Sequence, residues 1–297
     1  MKIGLQFAMP VELHALPGAK GLTPFETVSG VPFFQIAPDI LACAGGVSKV
    51  NAAMAAEIFC LRYGADLILN AGVAGCLTDL PTGSLVVASE FLQHDVDTTA
   101  VGDPIGLVST VNRVEFPTWE PEKCVELLKT LGFSAVTGRV ATGDWFAVKG
   151  DRAVFIRDTF SPLLVEMEGC AIAQVCLRNN VRFVSLKSVS DHLFSDNQAA
   201  EYFDFGQALE SLGQVADAFG YNYAYLSRLL KKTLGMPVNQ YITEKKIKLA
   251  MELVDENPDM SQDEISELCG YKDSRYFGRV FKNQTGVSFR EYRAKKD

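Results

Sequence analysis

The sequence predicts an α/β domain with a largely buried mixed sheet, followed by an all-α domain. Two observations lead to this prediction. Over the first two-thirds of the 297 residues, short apolar runs alternate with segments of helical periodicity, which is typical of strands covered on both faces by helices. In the last quarter, one motif occurs twice, each time after a short helical segment that ends in Gly-Tyr.

Seven apolar runs are predicted as strands. They are residues 3–9, 31–37, 40–46, 66–72, 84–91, 163–169 and 183–191. Residues 49–64 and 121–133 have the apolar spacing of helices. Ligands of α/β folds bind at the carboxyl ends of strands, so polar residues at those ends are candidates for a functional site.

Four strand ends carry such residues. They are Glu12, the Gly-rich turn at 70–75, Glu166 with Glu168, and Ser190 with Asp191. Side chains alternate along a strand, which predicts that Glu166 and Glu168 share one face. An acidic residue or a Gly-rich turn at a single strand end is common in proteins. The order and spacing of all four ends together are a much more specific indication of a functional site.

Charge is distributed unevenly along the chain. The net charge is −8, with 14 − 25 = −11 over residues 1–220 and 14 − 11 = +3 over residues 221–297. An acidic body with a mildly basic tail indicates that only the tail could bind nucleic acid.

The sequence predicts a cytoplasmic protein without membrane contact, metal or cofactor. Its seven cysteines form no C-x-x-C pair and lie in apolar runs, as is typical of buried reduced thiols. The first residues, MKIGLQFAMPVE, indicate a strand rather than a secretion signal. No stretch approaches the roughly 20 apolar residues of a membrane span.

From Met1 to about Phe205, the chain resembles the nucleoside phosphorylase superfamily and, within it, the 5′-methylthioadenosine/S-adenosylhomocysteine nucleosidases. The matching pieces are MKIGLQFAMPVE, AGGVSKVNAA, ILNAGVAG, QHDVDTTAVG, ATGDWF, VEMEGCAIAQVC and SVSD. The resemblance implies a phosphorylase-like mixed sheet flanked by helices, a homodimer, and hydrolysis of the N-glycosidic bond of an adenine nucleoside in methionine salvage.

The resemblance also implies the site residues. Asp191 would protonate purine N7 so that adenine leaves neutral, which requires a raised pKa, and Glu12 would deprotonate the attacking water. Substrate would be bound by Gly75, Phe146, Met167, Glu168 and Ser190. Of these, Glu168 would bind the ribose hydroxyls and Phe146 would stack on the base. Core packing is the alternative role for Phe146 and Met167.

Hydrolysis is favoured over phosphorolysis. Phosphorylase relatives carry an arginine where this chain has Asn70, and Lys49 is the nearby cation, whereas a phosphate pocket favours the planar fork of arginine. Val73, Val101 and Lys187 depart from the residues common in the nucleosidases. These departures leave the nature of the 5′-substituent open.

The repeated motif of the last quarter predicts a double helix-turn-helix. Residues 225–235 and 276–286 match at an offset of 276 − 225 = 51, with identical Tyr, Arg, Lys and Gly at corresponding positions. With the connecting helix at 237–257, the segment resembles the AraC/XylS regulator domain. That family places each second helix in a major groove, about one helical turn (~34 Å) apart.

The resemblance implies DNA contacts at the starts of the two second helices. Base-facing residues would be Asn222, Tyr223 and Ser227 in the first copy and Lys272, Ser274 and Arg275 in the second. Arg228 and Arg279 recur identically, which favours phosphate contacts or a structural role over sequence recognition. Simple solvation of a basic face is the alternative.

The predicted domains are residues 1–207 (nucleosidase) and 208–297 (DNA-binding), with a helix at about 204–219 shared between them. Leu209, Leu212, Val215 and Phe219 form one apolar stripe, although Ser211 could cap a separate helix. The predicted function is an adenine nucleosidase coupled to a DNA-binding regulator. Two alternatives remain: a regulator that only senses a nucleoside, and an enzyme with a non-functional tail.

Overall fold

The computed structural model describes residues 1–16, 19–194, 204–220, 238–257, 260–269, 271 and 273–294. These fall into two compact units, Met1–Gly220 and Tyr221–Asp297. No helix within the described residues combines the length and apolar character needed to cross a lipid bilayer.

The first unit is built on one mixed sheet. Its strands are β1 (Ile3–Phe7), β2 (Glu26–Val28), β3 (Val31–Ala37), β4 (Ile40–Ala44), β5 (Leu67–Cys76), β6 (Leu85–Gln93), β7 (Phe116–Pro117), β8 (Ala135–Thr142), β9 (Leu164–Glu166) and β10 (Arg182–His192). Their order is β10-β6-β8-β9-β5-β1-β4-β3-β2, with β7 beside β6. This mixed α/β architecture confirms the predicted fold class.

Strand β10 closes part of the sheet into a ring. It pairs in parallel with β5 and antiparallel with β6, so β5, β10, β6, β8 and β9 follow one another around a closed path. Because β1, β4 and β10 all run parallel to β5 or its neighbours, their carboxyl ends lie at one edge. Ligand sites of α/β folds form at such an edge.

Helices cover the sheet. They are α1 (Pro10–Leu13), α2 (Lys49–Leu61), α3 (Pro121–Thr130), α4 (Asp151–Phe160), α5 (Gly169–Asn179) and α6 (Phe205–Gly220), with a 3₁₀ turn at Thr99–Val101. The main core lies between the sheet and helices α2 and α5, around Phe33, Phe59 and Phe91. In α6, Leu212 and Val215 pack on a separate cluster formed by β6 and α3.

In its described residues, the second unit is helical. It contains α7 (Val238–Glu256), α8 (Gln262–Leu268), α9 (Ser274–Thr285) and α10 (Phe289–Ala294). Phe277, Phe281 and Phe289 form the centre of its core. Ser261 caps α8 together with Glu264 in a reciprocal capping box, as its sequence position favours. Helices α8 and α9 form the second copy of the predicted repeat, whereas most of the first copy lies outside the described residues.

Candidate functional site

Glu12 is a buried carboxylate held by backbone donors. Its Oε2 accepts hydrogen bonds from the N–H groups of Ala8 (3.0 Å) and Met9 (2.9 Å), and its Oε1 accepts one from Val73 at 3.2 Å. Burial raises the pKa of Glu12, against the opposing influence of Lys187 and of these donors. The side chain is fixed in place and has a raised affinity for a proton, as a general base requires.

Asp191 lies near the end of β10, opposite Gly75 of β5. The register of β5 and β10 shifts between Val189 and Asp191, and the Oγ of Ser190 donates a hydrogen bond to Asp191 Oδ1 at 2.6 Å. Burial raises the pKa of Asp191, although the hydrogen bond from Ser190 partly opposes that effect. A carboxyl with a raised pKa can retain its proton for transfer to a leaving group.

Two glycines of β5 provide the space that these carboxyls occupy. A Cβ on Gly72 would lie 2.7 Å from Glu12 Oε1, and one on Gly75 would lie 3.2 Å from Asp191 Oδ2. The predicted turn at 70–75 is wrong, because these residues lie inside β5, where Gly72 and Gly75 leave room for the two acids to approach the strand. Gly75, predicted to bind substrate, borders the candidate acid directly.

Glu166 and Glu168 do not share the face of a strand, so that sequence expectation was wrong. Strand β9 ends at Glu166, and Glu168 is the N-cap of α5, because the chain turns at Met167. Glu166 Oε2 accepts a hydrogen bond from Lys187 Nζ at 2.9 Å, and each of these side chains is 2% exposed. The two glutamates therefore have different environments and different partners.

Glu168 is oriented by the loop that precedes α2. Its Oε1 accepts a hydrogen bond from the N–H of Ser48 at 2.9 Å. Burial and the nearby charge of Glu166 raise the pKa of Glu168 to about 7, with Lys187 acting in the opposite direction. Met167, adjacent in the chain, is half-buried.

Phe146 is carried by the loop that follows β8, and 61% of its surface is exposed. The adjacent Trp145 contacts the guanidinium of Arg152, 4.6 Å from its ring centre, and forms a T-shaped pair with the His94 ring. The loop is therefore anchored next to Phe146, which itself presents a broad apolar surface. Such a surface can stack on a base.

These groups converge around the carboxyl end of β5. Glu12 contacts that strand at Gly72 and Asp191 contacts it at Gly75. Lys187 interacts electrostatically with Glu12, Glu166 and Glu168 together. The site thus contains four carboxyl groups, those of Glu12, Asp191, Glu166 and Glu168, together with the buried lysine Lys187.

In the second unit, α9 presents basic side chains to solvent. Arg275 and Arg279 are exposed, and Asp273 caps the helix by accepting hydrogen bonds from the N–H groups of Arg275 (2.8 Å) and Tyr276 (2.9 Å). Ser274 is half-buried, and its Oγ lies 3.2 Å from Gln262 Nε2. The other predicted contacts, Asn222, Tyr223, Ser227, Arg228 and Lys272, lie outside the described residues.

Three features of these sites were not predicted from the sequence: the pairing of Lys187 with Glu166, the hydrogen bond from Ser48 to Glu168, and the exposure of Tyr276. Tyr276 is 54% exposed, and the guanidinium of Arg279 lies 5.8 Å from its ring centre. A lysine within the apolar run of β10 was the available signal for a buried ion pair.

The pKa of Glu168 predicts a pH-dependent stability. Since the pKa in the folded protein, about 7, exceeds the ordinary 4.5, the stabilisation is complete below about pH 4.5 and is lost as the pH rises through about 7. Glu168→Gln cannot ionise, so it should lose less stability than the wild type over that range, by on the order of 3 kcal/mol. Thermal unfolding at both ends of the range measures this, and parallel curves would contradict it.

Comparison with known proteins gives two family matches and several relatives. The Phosphorylase superfamily model matches residues 2–221, and a Helix-turn-helix domain model matches residues 215–295. A 5′-methylthioadenosine/S-adenosylhomocysteine nucleosidase of Shewanella sp. (strain MR-7) is 33% identical over 204 residues, covering 66% of this chain and 86% of its own. One from Shewanella halifaxensis is 34% identical over 206 residues, covering 66% and 89%.

Solved structures of a hydrolase and a nucleosidase also match this chain, over about the length of the first unit. Futalosine hydrolase of Helicobacter pylori superposes with a TM-score of 0.67 and 25% identity, covering 74% of this chain and 97% of its own. A 5′-methylthioadenosine/S-adenosylhomocysteine nucleosidase from Colwellia psychrerythraea, in complex with adenine, superposes with a TM-score of 0.62 and 33% identity, covering 74% and 95%.

Proposed function

The chain belongs to the phosphorylase superfamily and carries a C-terminal helix-turn-helix domain, and from this premise we propose that it is a DNA-binding adenine nucleosidase. It hydrolyses the N-glycosidic bond of nucleosides of the 5′-methylthioadenosine/S-adenosylhomocysteine type, as the names of its relatives suggest. The observation that carries the proposal is the placement of two carboxyls of raised pKa, the buried Glu12 and the half-buried Asp191, beside Gly72 and Gly75, which are three residues apart along β5.

The chemistry needs one acid and one base. Asp191 gives its proton to N7 of the purine, so that the C1′–N9 bond breaks and its electron pair leaves with neutral adenine. Glu12 takes a proton from water, whose oxygen forms the new bond to C1′. Glu168, as a carboxylate, accepts hydrogen bonds from the ribose hydroxyls, and Met167 and Phe146 contact sugar and base. Exchange with solvent returns Glu12 and Asp191 to their starting protonation states.

The polar environment favours water over phosphate as the attacking group. Asn70 is engaged inside the sheet, where its Nδ2 donates to Gln6 O at 3.1 Å and its Oδ1 accepts from Ser185 at 3.0 Å. Lys187 and Lys49 are already paired with Glu166 and Asp95. A phosphate dianion would have to compete with these carboxylates for the two cations.

Incubation with 5′-methylthioadenosine tests the proposal directly. We expect free adenine and 5-methylthioribose, at the same rate with and without added phosphate, because no step uses phosphate. Chromatography of the products measures both. Formation of the sugar 1-phosphate would identify a phosphorylase, and binding without cleavage would identify a nucleoside sensor.

The second activity that we propose is sequence-specific DNA binding through α9. Its start is fixed by the Asp273 cap and its exposed arginines face solvent, as a recognition helix requires. Arg275 and Ser274 are assigned to base edges and Arg279 to phosphate. Asn222, Tyr223, Ser227, Arg228 and Lys272, outside the described residues, are proposed as further contacts.

Arg275→Ala should weaken binding to the preferred DNA sequence by about 1–3 kcal/mol and relax selectivity at one base position. The measurement is selection of duplexes from a randomised library, followed by titration of the selected sequence. Lys248→Ala is a matched control, because Lys248 is an exposed basic residue of α7 that pairs with Glu252. Loss of an arginine contact without any change in selectivity would contradict a base-reading role, and failure of the wild type to select a sequence would indicate a non-functional tail.

We also propose a homodimer in the cytoplasm, acting in methionine salvage. Val101, 80% exposed, lies in the loop that the resemblance assigns to a neighbouring subunit's pocket, and Val50 on α2 is 75% exposed. Homodimer interfaces are more apolar than the rest of a protein surface, so these two valines are candidates for the contact. Sedimentation analysis of the wild type and of Val101→Asp tests this, since the charge should weaken association.

The domain boundary that we propose is 207/208, with α6 shared by both domains. Leu212 and Val215 pack on β6 and α3 of the first unit, and the helix-turn-helix match begins at residue 215, inside this helix. A Gly/Ser insertion after Leu209 should therefore lower the stability of the nucleosidase. An enzyme of unchanged stability would show that the helix is not shared.

A further inference from the structure

The loop that orients Glu168 has an unusual backbone conformation. Ser48 has φ 82° and ψ 161°, a region that is essentially restricted to glycine. A residue other than glycine keeps such a conformation only where surrounding contacts hold it. The N–H that Ser48 directs to Glu168 therefore depends on its neighbours, and the next residue in the chain is Lys49.

Lys49, Asp95 and Asp144 form a closed ring of hydrogen bonds. Lys49 Nζ donates to Asp95 Oδ1 at 2.7 Å, Asp95 Oδ2 accepts from the N–H of Asp144 at 2.9 Å, and Asp144 Oδ1 accepts from the N–H of Lys49 at 2.8 Å. Gln93 Oε1 accepts a further hydrogen bond from Lys49 Nζ at 3.0 Å. We refer to Lys49, Asp95 and Asp144 as the Lys49 ring.

The Lys49 ring is well shielded and strongly paired. The side chains of Lys49 and Asp95 are only 20% and 17% exposed, so solvent screens their interaction less than it would at the surface. Partial burial raises the pKa of Asp95, but the hydrogen bonds from Lys49 and from the Asp144 N–H outweigh it and hold the pKa below its ordinary value.

The ring joins the two loops that carry opposite ends of the substrate site. On one side, Lys49 follows Ser48, whose N–H orients Glu168. On the other, Asp144 lies two residues before Phe146. The contacts of Trp145 attach the second loop to Arg152 and His94, whereas the Lys49 ring attaches it to the start of α2.

We propose that Lys49, Asp95 and Asp144 are positioning residues that fix the separation between the ribose-binding Glu168 and the base-stacking Phe146. The proposal rests on the proposed nucleosidase function. A nucleoside spans both groups, so its alignment with Glu12 and Asp191 depends on that separation. Misplacement by about 1 Å can cost a factor of 10² in rate.

The first test is Lys49→Met, which keeps the length of the side chain but removes the charge and the donors. We expect kcat/KM for 5′-methylthioadenosine to fall about 10- to 100-fold, and Lys49→Arg, which can still pair with Asp95, to recover part of it. Lys123→Met removes an exposed lysine paired with Glu120 and should leave kcat/KM within about twofold of the wild type, as expected for a surface pair.

A second test distinguishes positioning from general structural support. Because adenine occupies only the base side, its dissociation constant should change less than about twofold in Lys49→Met. The dissociation constant of 5′-methylthioadenosine, measured in an Asp191→Asn background to prevent turnover, should rise about tenfold. Lys49→Met and Asp95→Asn should be non-additive, because both open the same ring.

The outcomes separate the two proposals. If the wild type releases no adenine, the proposed function fails. If it does, but Lys49→Met keeps wild-type kcat/KM and nucleoside affinity, the positioning role is refuted. Equal weakening of adenine and nucleoside binding would also refute it, because the ring would then support only the base side.

Discussion

Asp191→Asn is expected to abolish adenine release while leaving nucleoside binding largely intact. An asparagine amide cannot transfer a proton to N7, and removal of a general acid lowers rates by about 10²- to 10⁴-fold. The substitution preserves shape, so the Ser190 hydroxyl can still donate to the remaining oxygen. Gly75 leaves the same space beside it.

Single-turnover release of adenine and calorimetric binding of 5′-methylthioadenosine measure the two parts of this prediction. Asp158→Asn is the matched control, because Asp158 is an exposed aspartate of α4 that pairs with Arg157, and it should retain full activity. Turnover near the wild-type level in Asp191→Asn would mean that adenine departs with the help of another group. Loss of binding together with turnover would instead assign Asp191 to ground-state recognition.

The strands that were predicted from sequence are those whose apolar runs are continuous. Residues 31–37 form β3 as predicted, and β5, β6 and β10 lie where expected within a few residues. Strand β8 was missed because Gly138 and Arg139 interrupt its pattern. Gly138 is required because Leu163 fills the space a side chain would need, and Arg139 pairs with Glu90. Both residues are explained by contacts with parts of the chain that are distant in sequence, so the local sequence does not indicate the strand.

In the candidate site, too, some features could be predicted from the local sequence, whereas others depend on tertiary contacts. Glu12 and Asp191 were accessible from sequence because Glu12 follows one recognisable strand and Asp191 lies near the end of another, and parallel strands bring their ends together. The distinct environments of Glu166 and Glu168 could not be predicted from sequence. The chain turns at the end of β9, so the expected alternation of side chains along a strand does not continue to Glu168. The Lys187–Glu166 pair joins residues 21 positions apart across the closed ring of strands, and only the ring closure brings them into contact.

Lys187→Met is expected to destabilise the first unit by about 3–5 kcal/mol, because removing one partner of a buried ion pair leaves the other charge uncompensated. Glu166 would retain the N–H groups of Glu168 and Gly169 as donors, but no cation. For a unit of this size, the loss corresponds to a fall in Tm on the order of 10 °C. The protein's two tryptophans, Trp119 and Trp145, both lie in the first unit, so tryptophan fluorescence follows its unfolding.

The double variant Lys187→Met/Glu166→Gln separates the structural effect from the catalytic one. With both charges removed, much of the lost stability should return, as is common when a buried pair is replaced as a whole. Activity at neutral pH should not return, because Lys187 also lowers the pKa of Glu12. Without that cation, only the backbone donors of Ala8, Met9 and Val73 oppose the effect of burial, so the pKa of Glu12 rises further and the base is protonated over more of the neutral range. The double variant should therefore be stable but active only at higher pH, as a pH profile of kcat/KM would show. A stable double variant with the wild-type profile would show that Lys187 serves the fold alone, and that the hydrogen bonds from Ala8, Met9 and Val73 suffice to keep Glu12 ionised.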